Sequence, residues 1–238
     1  MAEMSVAKYD HGWETKWDDM KTYGPFSRHL RRLMKQVLRS VYFETVLDVG
    51  CGQGSFLTEL CAEFPRIRPN GCDISPAAIE LARQKIPHGT FSLLDIGKEH
   101  LREQFDLVVC SEVLEHITDD MTALGNLAKM TRKYLLVSAP QGRMRRFEIE
   151  VGHVRNYTSG ELIQKVEKSG FRAIKTIEWG FPFYSPIYRD LLELTGSKGS
   201  TGRFGIFRKA LSGIIYLVFT LNSSTRGDEI LILAQPYS

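Results

Sequence analysis

Several things are scarce in these 238 residues, and each absence removes a class of protein. The four cysteines, Cys51, Cys61, Cys72 and Cys110, form no CxxC pair, which argues against a disulfide framework or a zinc ribbon. They read as small buried hydrophobes in a reducing compartment. No apolar run reaches the ~20 residues that crossing a bilayer requires; the long one, 211–221 (LSGIIYLVFTL), stops well short. The first ten residues mix charged and polar side chains without the apolar stretch of a signal peptide, so a cytoplasmic location is expected. Nor is there a charge excess: 31 basic against 28 acidic residues leaves +3, far from the balance of a dedicated nucleic-acid binder. Internal repeats and extended low-complexity segments are absent as well.

What remains is a chain that is 43% hydrophobic and 25% charged, the composition of a globular protein. Its length fits one α/β domain with an elaboration, so a single domain over 1–238 is expected, with an N-terminal helical segment 1–41. Within that segment Leu30, Leu33, Met34, Val37 and Leu38 recur at helical spacing, with Ser27 as the expected N-cap. Arg28, Arg31, Arg32, Lys35 and Arg39 fill the other face, which reads as solvated.

From residue 45 onward short apolar β-branched runs alternate with helical stretches: TVLDVG, helix 55–63, IRPNGCDI, helix 75–85, TFSLLDI, FDLVVC, helix 119–130 and KYLLVS. Strand and helix in alternation imply parallel strands joined by right-handed crossovers, a doubly wound α/β sheet. Thr158 and Glu161 form the pattern of a capping box, and Gly170 is placed to end the helix that follows. Two more strands are expected at 171–178 and 229–234. Between them 180–228 is too long for a hairpin and reads as a cap inserted before the last strand. It holds an aromatic stretch (GFPFYSPIY), a flexible run at 195–205 (TGSKGSTGRFG) and an apolar helix at 204–221.

The chemistry starts where the first strand runs into Gly50-Cys51-Gly52-Gln53-Gly54 and a helix follows. Alternate glycines let the chain turn tightly and let its backbone approach a ligand, with free N–H groups at the helix start. Position 55 is Ser55, so the pattern is GxGxG and not the GxGxxG of dinucleotide binders. Three acids fall where a nucleoside needs them. Asp73 ends the second strand and can accept from both ribose hydroxyls; Asp95, expected to end the third strand between Leu94 and Ile96, can meet an adenine amino group; Asp48 can face an ammonium.

VLDVGCGQG, GCDIS, LLDI and FDLVVCSEVLEHI, in this order and spacing, resemble the successive motifs of class I S-adenosylmethionine (SAM)-dependent methyltransferases, over roughly residues 42–180 and the final strand. The resemblance implies a Rossmann-like, seven-stranded sheet whose last strand is antiparallel, and SAM as cofactor. It implies that Gly50, Gly52 and Gly54 line the methionine moiety, Asp73 the ribose and Asp95 the adenine, with Ile74, Leu94, Ile96, Ser111 and Glu112 completing the wall.

Methyl transfer is an in-line displacement at an already activated carbon, so beyond alignment the protein need supply only a way to remove the acceptor's proton. Glu112, Glu115 and His116 stand at i, i+3 and i+4 and share one face if the chain is helical there. His153 follows in GHVRNYT. ExxEH with a later His resembles ubiquinone-pathway O-methyltransferases and small-RNA 2′-O-methyltransferases, in some of which the matching positions bind a divalent metal. Three readings stay open: a metal held by Glu112, Glu115, His116 and His153; His116 or His153 as a catalytic base; or residues that only shape the pocket. Two carboxylates and two imidazoles suit Mn, Fe, Co or Zn; Mg enters by resemblance.

The acceptor is expected to be the hydroxyl of a small molecule, with a nitrogen acceptor as the alternative. An RNA 2′-hydroxyl is a further one, for which Arg143, Arg145 and Arg146 are thin support; nucleic acid is not the expected partner. Trp179, Phe181, Phe183, Tyr184 and Tyr188 read either as an apolar pocket or as plain core. The helix 204–221 is apolar almost all round in its second half; it is expected to be buried, with pairing in a homodimer or contact with a membrane as the alternatives.

Overall fold

The computed structural model describes residues 5–195 and 201–237. Residues 196–200, in the first half of the run read as flexible, lie outside the described residues, as do 1–4 and 238.

Three helices precede the first strand: α1 (Val6–Thr15), α2 (Asp18–Tyr23) and α3 (Pro25–Leu38). The sheet then alternates with helices through β1 (Thr45–Val49), α4 (Ser55–Glu63), β2 (Arg68–Asp73), α5 (Pro76–Lys85), β3 (Thr90–Leu93), β4 (Phe105–Ser111), α6 (Asp120–Met130) and β5 (Thr131–Pro140). A short α7 (Arg146–Glu150) and α8 (Glu161–Lys168) lead to β6 (Phe171–Trp179). The insertion carries a kinked helical turn (Phe183–Tyr188), α9 (Arg189–Thr195) and α10 (Ile206–Phe219), and β7 (Glu229–Pro236) ends the sheet.

The strands lie in the order β3-β2-β1-β4-β5-β7-β6, with β7 antiparallel to both its neighbours. This is the doubly wound seven-stranded sheet expected. Its order reverses between β1 and β4, and a crevice opens at such a switch point beyond the carboxyl ends of the strands. Central strands are buried on both sides, so their residues alternate between two cores rather than between core and water. Val46, Leu107, Val109 and Leu136 face α3, α4 and α5, while Leu47, Val108, Cys110 and Val137 face α6 and α8.

Several local expectations are corrected. α3 starts at Pro25 after Gly24, so Ser27 sits inside the helix and caps nothing. Its basic face is not simply solvated: Arg31 is buried and pairs with Glu59 at 2.7 Å, Lys35 reaches Glu59 at 2.8 Å, and Arg39 meets Glu63 at 2.6 Å, all on α4. Thr158 and Glu161 do interact, the Thr158 N–H donating to the Glu161 carboxylate at 2.9 Å, but α8 begins only at Glu161, after Gly160 in a left-handed conformation. The pair closes the turn before the helix. The helix at 204–221 is corrected most. Ser212 and Phe219 are buried, yet Phe207 is 89% and Ile206 79% exposed, and Leu211, Ile214, Leu217 and Leu221 all exceed half. One side is held against α3 and the other faces out.

Candidate functional site

The parallel register explains why distant residues meet. Val49, the last residue of β1, stands opposite Cys72 of β2 and Cys110 of β4. The next residues along, Gly50, Asp73 and Ser111, therefore emerge side by side at the crevice. On the far side Ser111 pairs with Ser138, and Pro140 stands opposite Glu229, the first residue of β7. A cavity of about 610 Å³ opens over this edge, lined from Asp48 and the glycine loop at one end to Glu148 and Glu229 at the other.

The glycine half is built tightly. Gly50, Gly52 and Gly54 all have positive φ (71°, 53° and 78°). At Gly52 a Cβ would lie 2.4 Å from the Trp13 ring, so a side chain there meets both backbone strain and an indole. Asp73 holds the loop: its carboxylate accepts from the Gly52 N–H at 2.8 Å and the Ser75 N–H at 2.9 Å. Burial pushes its carboxyl up from the usual range while these donors pull it back. Asp48, on β1, has fewer compensations; burial, aided by the nearby Asp73 charge, pushes it up to about 8.

Asp95 lies in the loop after β3, which ends at Leu93, and not within the strand as expected. It accepts from the Gly97 N–H at 3.1 Å and pairs with Lys98 at 2.7 Å, and Leu94 and Ile96 are buried beside it. Ile74, Leu94, Asp95, Ile96, Ser111 and Glu112 all line the cavity.

The ExxEH segment does not form the expected helical face. Glu112 has φ 58°, a left-handed conformation, and the chain turns through a single 3₁₀ turn, Leu114–His116. Glu112 is directed by β5 instead: its N–H donates to the Ser138 carbonyl at 3.1 Å, and its carboxylate accepts from the Ser138 hydroxyl at 3.0 Å. Glu115 and His116 meet His153 because the His153 loop is stitched to that turn, the Val154 N–H donating to the Glu115 carbonyl at 2.8 Å. One ligand atom from each of Glu115, His116 and His153 falls within 4.8 Å of the others; Glu112 is not part of that group. The imidazole rings meet edge to face with centroids 4.7 Å apart.

This corner is electrostatically unsettled. Glu115 is fully buried, and neither carboxylate oxygen has a hydrogen-bond partner. Burial, reinforced by Glu112, drives its carboxyl well above the usual range. Burial lowers His116 to about 3 and His153 to about 4, so both imidazoles are neutral at pH 7. Glu112 is raised to about 7 by burial.

The same half contains residues that sequence reasoning did not single out. Arg189, wholly buried, donates to Glu148 and, at 3.2 Å, to Asp228. The Tyr184 hydroxyl donates to Glu229 at 3.1 Å, while the second Glu229 oxygen is unpartnered. An acid opening the buried strand EILILA was the available signal for Glu229. Trp13 and Lys21 also line the cavity, brought there by α1 and α2. Asp10 of α1 accepts from Ser75 and, at 3.2 Å, from the Ala77 N–H, so α1 is tied to the start of α5. Nothing in the sequence before α3 marked these two helices as part of the site.

Of the aromatics from Trp179 to Tyr188, Trp179 and Tyr184 stack with Phe26 in the core, and Tyr184 and Tyr188 also line the cavity, so both readings hold in part. The three arginines are spoken for: Arg143 and Arg145 pair with Asp190 at 3.0 and 2.8 Å, and Arg146 with Glu150 at 3.3 Å. No described helix is long and apolar enough to cross a membrane.

Residues 47–133 match the family model described as a methyltransferase domain. The chain is 29% identical over 140 residues to a ubiquinone biosynthesis O-methyltransferase of Shewanella sp. (strain ANA-3), covering 54% of this chain and 58% of that one. It is 31% identical over 127 residues to a trans-aconitate 2-methyltransferase of Methylobacterium radiotolerans, covering 53% and 45%. It thus spans about half the length of these curated relatives. Its fold is shared with the magnesium protoporphyrin IX methyltransferase of Synechocystis PCC 6803, solved with bound SAM, at a TM-score of 0.62 and 16% identity over 100% of both chains.

Proposed function

We propose, from the premise that this chain belongs to the class I SAM-dependent methyltransferase family, that it transfers the SAM methyl group to a hydroxyl of a small-molecule acceptor, assisted by a divalent cation. The glycine loop and Asp73 take the cofactor, and the inner wall of the same cavity takes the acceptor. The observation that carries the metal is Glu115: a buried carboxylate with no hydrogen-bond partner, beside two imidazoles held neutral and therefore able to ligate.

Glu115, His116 and His153 would hold the ion. One carboxylate and two imidazoles suit Mn, Fe, Co or Zn better than Mg. A cation there would hold the acceptor hydroxyl and lower its pKa. The acceptor oxygen attacks the methyl carbon, the carbon–sulfur bond breaks, S-adenosylhomocysteine (SAH) leaves, and the hydroxyl proton passes to solvent; without the cation, His116 or His153, its lone pair then free, would take that proton. The segment 180–228 closes the acceptor end. The compartment we infer is the cytoplasm, consistent with four free cysteines.

The test is methyl transfer from labelled SAM to a panel of phenols and vicinal diols. We expect chelator to abolish turnover, Mn or Co to restore it, and SAH affinity to survive throughout. Turnover indifferent to chelator removes the metal and leaves a histidine base. A nitrogen acceptor is the second reading, favoured by one observation: Glu112, Glu115, Glu148 and Glu229 all line the cavity, a wall that suits an amine. Amines in the same panel decide between them.

A further inference from the structure

The outer face of α10 has no partner within the described chain. Ile206, Phe207, Leu211, Ile214 and Leu217 recur at spacings that place them on one side of the helix, opposite the buried Ser212 and Phe219, and the exposed Leu221 follows just past its end. A contiguous apolar stripe of this size marks an interaction surface. The charge on the segment itself has one sign: residues 201–227 contain Arg203, Arg208, Lys209 and Arg226 and no Asp or Glu, while Asp19 of α2 is engaged by the Phe204 N–H at 2.6 Å. Arg203, Lys209 and Arg226 are exposed. Lys209 and Arg226 lie over the neutral rings of Tyr23 and Phe181.

We propose that this face docks on an anionic lipid bilayer, with α10 lying in the interface, and that the acceptor is an amphiphile that enters the cavity from the bilayer head first. An apolar stripe bordered by cations is what an interfacial helix needs, the side chains entering the acyl boundary and the cations meeting anionic headgroups. α10 has 14 residues, a length of about 21 Å, too short to span the ~30 Å of hydrocarbon. Leu211 belongs both to the exposed stripe and to the cavity wall, so the apolar mouth of the cavity continues into the docking face. Behind that mouth the wall becomes polar at Glu148, His153 and Glu229. A head group would sit at this polar end and a hydrocarbon tail at the mouth. Only this last step rests on the methyltransfer reading.

The experiment is flotation of the full chain with vesicles of phosphatidylglycerol and phosphatidylcholine, or of phosphatidylcholine alone, without SAM. The triple variant Phe207→Ser, Ile214→Ser, Leu217→Ser is compared, none of these residues lining the cavity; an unchanged thermal transition shows that it folds. We expect the wild type to float with the anionic vesicles, at least tenfold less with the neutral ones or in high salt, and the triple variant to lose at least tenfold. Sedimentation should give a monomer for both proteins. No flotation of the wild type with either vesicle overturns the proposal. So does a wild-type dimer that the serine substitutions dissociate, because the stripe then belongs to a second copy. Flotation needs no cofactor, so its outcome is independent of whether methyl transfer is found; if flotation holds and phospholipids or long-chain phenols are methylated no faster than their short-chain counterparts, the amphiphilic acceptor falls while the docking stands.

Discussion

Two buried acids that line one cavity make a controlled comparison. Asp73 accepts two backbone N–H bonds and locks the loop that surrounds it. Glu115, equally out of water, accepts none. A buried polar group without a partner costs roughly 1–3 kcal/mol, more if charged, a deficit that Glu115 carries and Asp73 does not. Asp73 is satisfied by its own loop; under the proposed reading the pocket around Glu115 is completed by a group that binds there.

The sharpest way to break this contrast is at the unsatisfied end. Glu115→Gln and His153→Ala should each reduce turnover by about 10²–10⁴-fold while leaving SAH affinity, measured by calorimetry, unchanged. A variant that loses SAH affinity in step with turnover would show that the two halves are one unit. At the satisfied end, Asp73→Ala should weaken SAH binding by about 10–100-fold, the loss of charged hydrogen bonds worth roughly 1.5–3 kcal/mol. Unchanged affinity would remove Asp73 from the cofactor site.

A smaller effect is expected at Gly52→Ala, where the positive φ and the Trp13 ring act together. The backbone part alone costs roughly 1–2 kcal/mol, read as a lower thermal transition. Trp13→Ala in that background should recover the steric part and leave the backbone part, separating the two.

The smallest effect concerns pH. Asp48 and Glu112 have folded pKa values raised to about 8 and about 7, so the folded protein binds more protons than the unfolded chain between the ordinary carboxyl range and those values. Stability without ligand must then fall as pH rises from 6.5 to 8, read as a falling Tm. The histidines, depressed in the folded state, reduce stability only on the acid side, below their ordinary pKa of about 6.5. SAH brings an ammonium group, and if Asp48 faces it the alkaline decline should flatten; an equally steep decline with SAH bound would place that ammonium elsewhere.

The geometry of the glycine loop was legible in the sequence because its signals are local. Glycines at alternate positions after an apolar run, and an acid one strand further on, fix a loop and its anchor without long-range information. The cluster around Glu115 is assembled from segments far apart in the chain. Glu115 meets His153 through a backbone stitch between two loops, and the i, i+4 spacing that suggested a helix was realised as a left-handed residue followed by one 3₁₀ turn. Likewise the hydropathy of 204–221 showed how apolar the helix is but not which side would be covered. That depends on α3 occupying one face and nothing described occupying the other.

The insertion leaves the sheet and returns to it at a single rung: Trp179, the last residue of β6, stands opposite Glu229, the first of β7. At its return, a Cβ on Gly227 would lie 1.9 Å from the Trp179 carbonyl oxygen, so the crossing is made where only a bare backbone fits. With both ends pinned at one point, lengthening the segment adds little closure entropy and disturbs no strand. The two ends of the segment are therefore indifferent to its length: residues can be added between them without moving a strand, as long as the glycine, its rung and the contacts of Tyr184, Arg189 and Phe219 with the rest of the fold are kept.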